Sequence, residues 1–90
     1  MLVEKQIDVV NKLGLHARAA AKLVKLCAGF KSNITLAKDD KSADAKSIMG
    51  ILMLAAPQGT QLQLRVEGDD AESASSAIVE MFSNCFDEGE

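Results

Sequence analysis

The chain has a single histidine, His16, in the stretch GLHARAAAK, Gly14–Lys22, with Arg18 two residues further on. The alanine-rich run after it favours a helix, so His16 falls at a helix entrance. The first backbone N–H groups of a helix have no acceptor within it, and the aligned peptide dipoles place about half a positive charge there. With His16 as N-cap, the amides of Ala17, Arg18 and Ala19 point out near its ring, and Arg18 adds a forked guanidinium close by. An anion held against His16 meets several donors and a cation at once. A neutral imidazole nitrogen beside such a pocket is a nucleophile for phosphorus, and Gly14 is expected to clear side-chain bulk from the approach. Capping or plain solvation is the other role that a histidine at a loop–helix junction fills. The residues alone reach a phosphate site and no further.

The remaining reactive side chains narrow the chemistry. Cys27 and Cys85 are far apart and form no CxxC pair. With one histidine they complete no zinc set unless a carboxylate joins, and each sits in an apolar, helix-like pattern that predicts a buried, reduced thiol. No metal centre and no cofactor is expected. A Walker A sequence is absent, so nucleotide and magnesium sites are not expected either. Trp and Tyr are absent and Phe occurs 3 times, which predicts an aliphatic core and removes the base-stacking platforms of nucleic-acid modules. The net charge of −3, from 10 basic and 13 acidic residues, argues against a phosphate-backbone binder. No apolar run approaches the ~20 residues that span a bilayer, and the first ten residues lack a signal-peptide pattern. The expectation is one cytoplasmic domain, residues 1–90, that binds neither nucleic acid nor membrane.

Periodicity predicts the elements that hold His16. Leu2–Val10 alternates, with Val3, Ile7 and Val9 on one face and Glu4, Gln6 and Asp8 on the other. It is a half-buried strand, with Lys5 the exception on its apolar face. Asn11–Leu15 is a loop. Across Ala17–Ala28 the period becomes helical, with Ala20, Leu23, Val24 and Cys27 in one stripe, Lys22 and Lys25 off it, and Gly29 as the stop. Ser32–Lys38 predicts a strand with Ile34 and Leu36 inward. Asp39–Lys41 is a turn, and Ser42–Ala45 a short returning strand. Ser47 precedes the apolar run IMGILML, Ile48–Leu54. A cap-type residue and the Met/Leu content predict a short helix, ended by Pro57 and Gly59. Gln61–Glu67 is a strand with Leu62, Leu64 and Val66 on one face. Asp69 with Glu72 predicts a capping box for a last helix that turns Ala74, Ile78, Met81 and Cys85 inward, flanked by Ala77 and Phe82. The acidic end FDEGE, Phe86–Glu90, is expected to fray. The order is β-α-β-β-α-β-α. Each strand has one apolar face, so all three helices cover the same side of one sheet, a two-layer α/β sandwich whose other face stays wet.

Two further groups bear on binding. Ile48, Met49, Leu52 and Met53 are many apolar side chains for a short helix to bury. Either all are core, or Ile48, Met49 and Leu52 lie exposed around the His16 pocket, where methionine suits an adaptable surface. Lys22 and Lys25 form either a basic rim for acidic partner residues or a solvated face. Ser47 as N-cap is worth about 1 kcal/mol to its helix.

The segments NKLGLHARAAAKLV, Asn11–Val24, and KSIMGILMLAAPQGT, Lys46–Thr60, at this separation, resemble the HPr phosphocarrier family of the bacterial phosphoenolpyruvate phosphotransferase system. The resemblance covers essentially the whole chain. The NKLG start and the FDEGE end resemble most its nitrogen-related branch, often called NPr. The resemblance implies an open-faced sandwich of four antiparallel strands with three helices on one side. It implies that His16 takes a phosphoryl group on Nδ1 from enzyme I and hands it to an enzyme IIA-type protein, and that Arg18 stabilises the moving group. It further implies that the helix after Ser47 belongs to the docking surface, and that Ser47 matches a serine which a dedicated kinase modifies in some bacteria. Such a chain is a carrier and a substrate of other enzymes, expected to be a monomer, rather than an autonomous catalyst. One position departs from the family pattern: Ala19 stands where proline is usual, as in HxRPA. Alanine keeps the helix and restores an N–H; loop rigidity and transfer rate are what the change touches. The alternatives are a sugar-transport HPr, a regulatory module acting by contact, and a ligand-binding sandwich unrelated to phosphate.

Overall fold

The alternating segments pair into one sheet. The computed structural model describes residues 1–87. In it β1 (Leu2–Asp8), β2 (Asn33–Lys38), β3 (Lys41–Asp44) and β4 (Gln61–Glu67) form four strands in the order β1-β4-β2-β3, every neighbouring pair antiparallel. The register sets Ile7 opposite Leu62, Val66 opposite both Val3 and Ile34, and Leu36 opposite both Leu64 and Ala43. All inward residues therefore share one face, and a slip of one residue would turn each of them to water. Along β4 buried Leu62, Leu64 and Val66 alternate with exposed Gln61, Gln63, Arg65 and Glu67, so only one face is covered. The helices α1 (Ala17–Ala28), α2 (Ile48–Met53) and α3 (Ala71–Ser83) supply that cover, followed by a left-handed turn at Cys85–Asp87. The expected order β-α-β-β-α-β-α and the open-faced sandwich are what the structure has.

Between the layers lie Leu23, Cys27, Ile34, Leu36, Ile51, Leu54, Leu62, Leu64, Val66 and Ile78. The core is aliphatic except at one end, where Phe82 and Phe86 are buried edge-to-face with ring centres 4.9 Å apart. Lys5 holds an inward register position opposite Leu64 yet is exposed; β1 is an edge strand, which leaves its ammonium access to water.

Several expectations at the C-terminal half are corrected. The inward stripe of α3 is Ala71, Ala74, Ser75, Ile78 and Phe82, while Met81 is half-buried. Cys85 lies beyond the helix and is half-buried, because the chain leaves the helical path: Cys85, Phe86 and Asp87 all have positive φ, at 53°, 56° and 60°. That turn folds Phe86 back into the core, so the expected fraying fails at Phe86; residues 88–90 lie outside the described residues. The residue at the N-cap of α3 is Asp70, not Asp69, and no side-chain cap bond forms. The Asp70 carboxylate instead accepts from the amides of Lys31 (2.8 Å) and Ser32 (2.9 Å) and from the Ser32 hydroxyl. Three donors from the segment leading into β2 outcompete a local cap. The Ser32 hydroxyl first, then the Lys31 amide, hold the Asp70 carboxyl below its ordinary pKa. The last turn of α2 closes before Pro57: Lys38 Nζ donates to the carbonyls of Leu54 (3.2 Å) and Ala55 (2.6 Å), a cation at a helix C-terminus, and Ala55 turns away at φ 53°.

Candidate functional site

His16 is placed by a tight loop between β1 and α1. Asn11 is fully buried. Its Nδ2 donates to the Gly14 carbonyl at 2.7 Å, and its own carbonyl accepts from the Gly14 amide at 3.2 Å. Gly14 has φ +64°, and a Cβ there would collide with the Ala56 carbonyl oxygen and stand 2.8 Å from Pro57 Cα. The glycine is thus required by the contact between two backbones. It does not clear an approach to His16, as its position in the motif had suggested. The Leu15 amide donates to the Ala56 carbonyl at 2.9 Å, and the buried Leu15 side chain anchors the loop in the core.

From there the chain turns into α1. His16 is the N-cap, extended at φ −75° and ψ 175°, and its side chain makes no cap hydrogen bond. Its carbonyl accepts from the Ala20 amide at 2.8 Å. The residue is half-buried. The sole imidazole therefore stands at the head of a helix of 12 residues, where the amides of Ala17, Arg18 and Ala19 have no intrahelical acceptor. Ala17 and Arg18 are exposed, while the Ala19 methyl is fully buried, so the position that is proline in the family pattern here adds to the core. A half-positive helix end, a guanidinium in the first turn and an imidazole not engaged in capping can hold a phosphoryl group and accept it on nitrogen.

The second group of residues is partly as expected. Ser47 caps α2, its Oγ accepting from the Gly50 amide at 3.1 Å. Ile48 and Met49 are 42% and 66% exposed. Leu52, expected outside, is half-buried against the core, because one turn of helix sends Ile51 and Leu54 inward and places Leu52 on their flank. The sequence reading missed Met53, 70% exposed, and Leu13, 62% exposed. Leu13 sits in the His16 loop, and that loop is bonded to Ala56, two residues past the C-cap of α2. A large apolar residue next to a turn glycine was the available signal.

The two lysines do different work. Lys22 is half-buried, and its Nζ donates to the Phe86 carbonyl at 2.9 Å, tying the C-terminal turn to α1. Lys25 is exposed. Together with Leu26, Met81 and Asp87 they line a groove of about 470 Å³. Cys27 is buried, and its thiol is pushed up to about 11, by burial first, with Lys46 opposing and Asp44 adding. It stays protonated near neutral pH and offers no nucleophile. Among the described residues no group of three or more His, Cys, Asp and Glu could hold a metal ion, and no helix is long and apolar enough to cross a membrane.

A family model described as the PTS HPr component phosphorylation site matches residues 3–84, a span that includes His16, Arg18 and Ser47. The phosphocarrier protein HPr of Xylella fastidiosa is 48% identical over 87 residues, covering 97% of this chain and 98% of its own length. That of Cupriavidus necator is 42% identical over 89 residues, covering 99% and 100%. Among solved structures, HPr-C-His from Thermoanaerobacter tengcongensis is similar with a TM-score of 0.92 at 45% identity, covering 96% of this chain and 97% of the other.

Proposed function

The chain belongs to the HPr family of phosphocarriers of the phosphotransferase system, and from that premise we propose that His16 is the residue that carries the phosphoryl group. On this reading the ring uses Nδ1 to attack the phosphorus of phosphorylated enzyme I. The new N–P bond forms as the donor's bond to phosphorus breaks, and the group later leaves to an enzyme IIA-type protein. Phosphoryl transfer needs alignment and charge stabilisation more than covalent machinery. Arg18 and the amides of Ala17, Arg18 and Ala19 supply both to the phosphoryl oxygens. The supporting observation is the position of the only imidazole in the sequence, at the N-cap of α1 with Arg18 in the first turn.

The carrier docks two partners in turn through one surface, made of Ile48, Met49 and Leu52 on α2, with Lys22 and Lys25 on α1 as its basic side. Ser47 lies at the edge of this patch. A phosphoryl group placed there by a serine kinase would add about two negative charges beside the docking residues and weaken acidic partners. The protein works as a single-domain, cytoplasmic monomer without metal, cofactor or nucleic acid. Its place is the nitrogen-related regulatory branch, by its likeness to NPr at NKLG and FDEGE. The sugar-transport branch is the second reading, favoured by the name HPr that the relatives carry.

The test is incubation with radiolabelled phosphoenolpyruvate and purified enzyme I of either branch. Wild type and Ser47→Ala should take up an acid-labile, base-stable phosphoramidate visible by phosphorus NMR, and His16→Ala should not. Faster labelling by the nitrogen-branch enzyme assigns the branch. Labelling of His16→Ala at the wild-type rate would end this reading, and a biological effect that survives His16→Ala would favour a module acting by contact.

A further inference from the structure

We propose that Asn11 is a positioning residue for phosphoryl transfer: its side-chain amide fixes the peptide plane that delivers His16 to the head of α1. The inference rests on His16 being the phosphorylated residue. The Gly14–Leu15 peptide is gripped at both of its polar ends. Its carbonyl accepts from Asn11 Nδ2 at 2.7 Å, and its N–H donates to the Ala56 carbonyl at 2.9 Å. A planar peptide held at both ends has no freedom to rotate. Only the φ and ψ of Leu15 then separate it from the His16 peptide, and the Leu15 side chain is itself buried. Asn11 also accepts from the Gly14 amide through its own carbonyl, at 3.2 Å, so the residue holds the glycine on both sides of its Cα. The chain from β1 to the imidazole is a series of constrained links, among which Asn11 contributes a side-chain hydrogen bond.

The rest of Asn11 argues for geometry over stability. Its Oδ1 is buried with no hydrogen-bond partner among the described residues. A stranded buried acceptor offsets what the Nδ2 bond contributes. An apolar residue of similar size would avoid the stranded acceptor, but it would release the Gly14 carbonyl and with it the peptide plane. Arg18 and the helix amides are useful only if the attacking nitrogen stands in line with the phosphorus, and small displacements of a reacting group are costly to rate.

The experiment is enzyme I-dependent phosphorylation with the carrier concentration varied, so that kcat and KM separate. The chains compared are wild type, Asn11→Ala, Asn11→Asp, His16→Ala and Ile78→Ala, each corrected for its folded fraction by circular dichroism. Asn11→Asp keeps the shape of the side chain and removes the Nδ2 donor. Ile78→Ala is destabilised in α3, away from the loop. Both Asn11 variants should lose about tenfold or more in kcat with KM within about twofold, while Ile78→Ala keeps its kcat. Wild-type kcat in the Asn11 variants, or a kcat and KM that move only as in Ile78→Ala, overturns the proposal. Labelling of His16→Ala instead removes the premise it rests on. Should both Asn11 variants fail to fold, hydrogen exchange of the Asn11 side-chain amide in the wild type decides: protection supports the bond to Gly14, and free exchange overturns it.

Discussion

Replacing Gly14 by alanine tests the contact between the His16 loop and the segment after α2. Two terms add. A Cβ residue held in the left-handed region costs about 1–2 kcal/mol, and Gly14 sits there at φ +64°. The new methyl would also overlap the Ala56 carbonyl oxygen and lie 2.8 Å from Pro57 Cα. Both are backbone atoms, which do not swing aside as a flexible side chain would, and overpacking of this kind costs about 1–3 kcal/mol. The sum is about 2–5 kcal/mol. Gly59 provides an internal reference: its φ is +91°, and nothing lies within 4 Å of a Cβ built on it. Gly59→Ala should therefore lose only the conformational term. In urea unfolding followed by circular dichroism, Gly14→Ala should fall below Gly59→Ala by about 1–3 kcal/mol, or roughly 4–24 °C in Tm at about 4–8 °C per kcal/mol for a chain of this size. Phosphoryl acceptance should fall in Gly14→Ala and hold in Gly59→Ala, since only the first displaces the histidine. Equal stability of the two variants, within ~0.5 kcal/mol, would refute the argument that two backbones meet at Gly14.

Three other outcomes follow from the same structure. Ser47→Ala should cost about 1 kcal/mol by thermal melting, and Ser47→Asp, which keeps an acceptor for the Gly50 amide, should recover most of it. The Asp70 carboxyl is held below its ordinary value of 3.8 by the Ser32 hydroxyl and the Lys31 amide. Its contribution to stability is thus present above pH 3.8 and is lost as pH falls through the lower folded value. Asp70→Asn should flatten that acid limb when unfolding is measured as a function of pH, and an unchanged limb would show that these bonds do not stabilise the folded state. In a thiol titration at pH 8, Cys85 should react before Cys27, which is buried with a pKa of about 11 and should react only on unfolding; equal rates would contradict that placement.

Much of the molecule was legible as sequence because its signals are local. Period-two and period-3.6 spacing marked the main strands and the first and last helices, while Ser47 and the Met/Leu content marked the short helix between them. Ser47 and His16 read as N-caps because a cap is a property of four consecutive residues. The motif around His16 carried the resemblance to the family, and the structure places that histidine where the helix argument required it. The misreadings at Asp69, Cys85 and Phe86 share one cause. The local pattern continued, but a distant partner offered more: the donors of Lys31 and Ser32 took Asp70 away from capping, and the core took Phe86 out of an acidic tail.

Composition and periodicity alone determined that this is a small α/β sandwich with one imidazole at a helix head. Only the tertiary structure decided what several polar groups do. Lys22, whose place on the helix gave no hint of a partner, reaches 64 residues along the chain to the Phe86 carbonyl. Lys38 and Lys46 bind the carbonyls of Ala55 and Phe30, each at least 16 residues away. Gly14 answers to Ala56, and Asn11 to Gly14. A lysine or a glycine has no periodicity that reveals its partner; the partner is chosen when the sheet register and helix packing bring a carbonyl within reach.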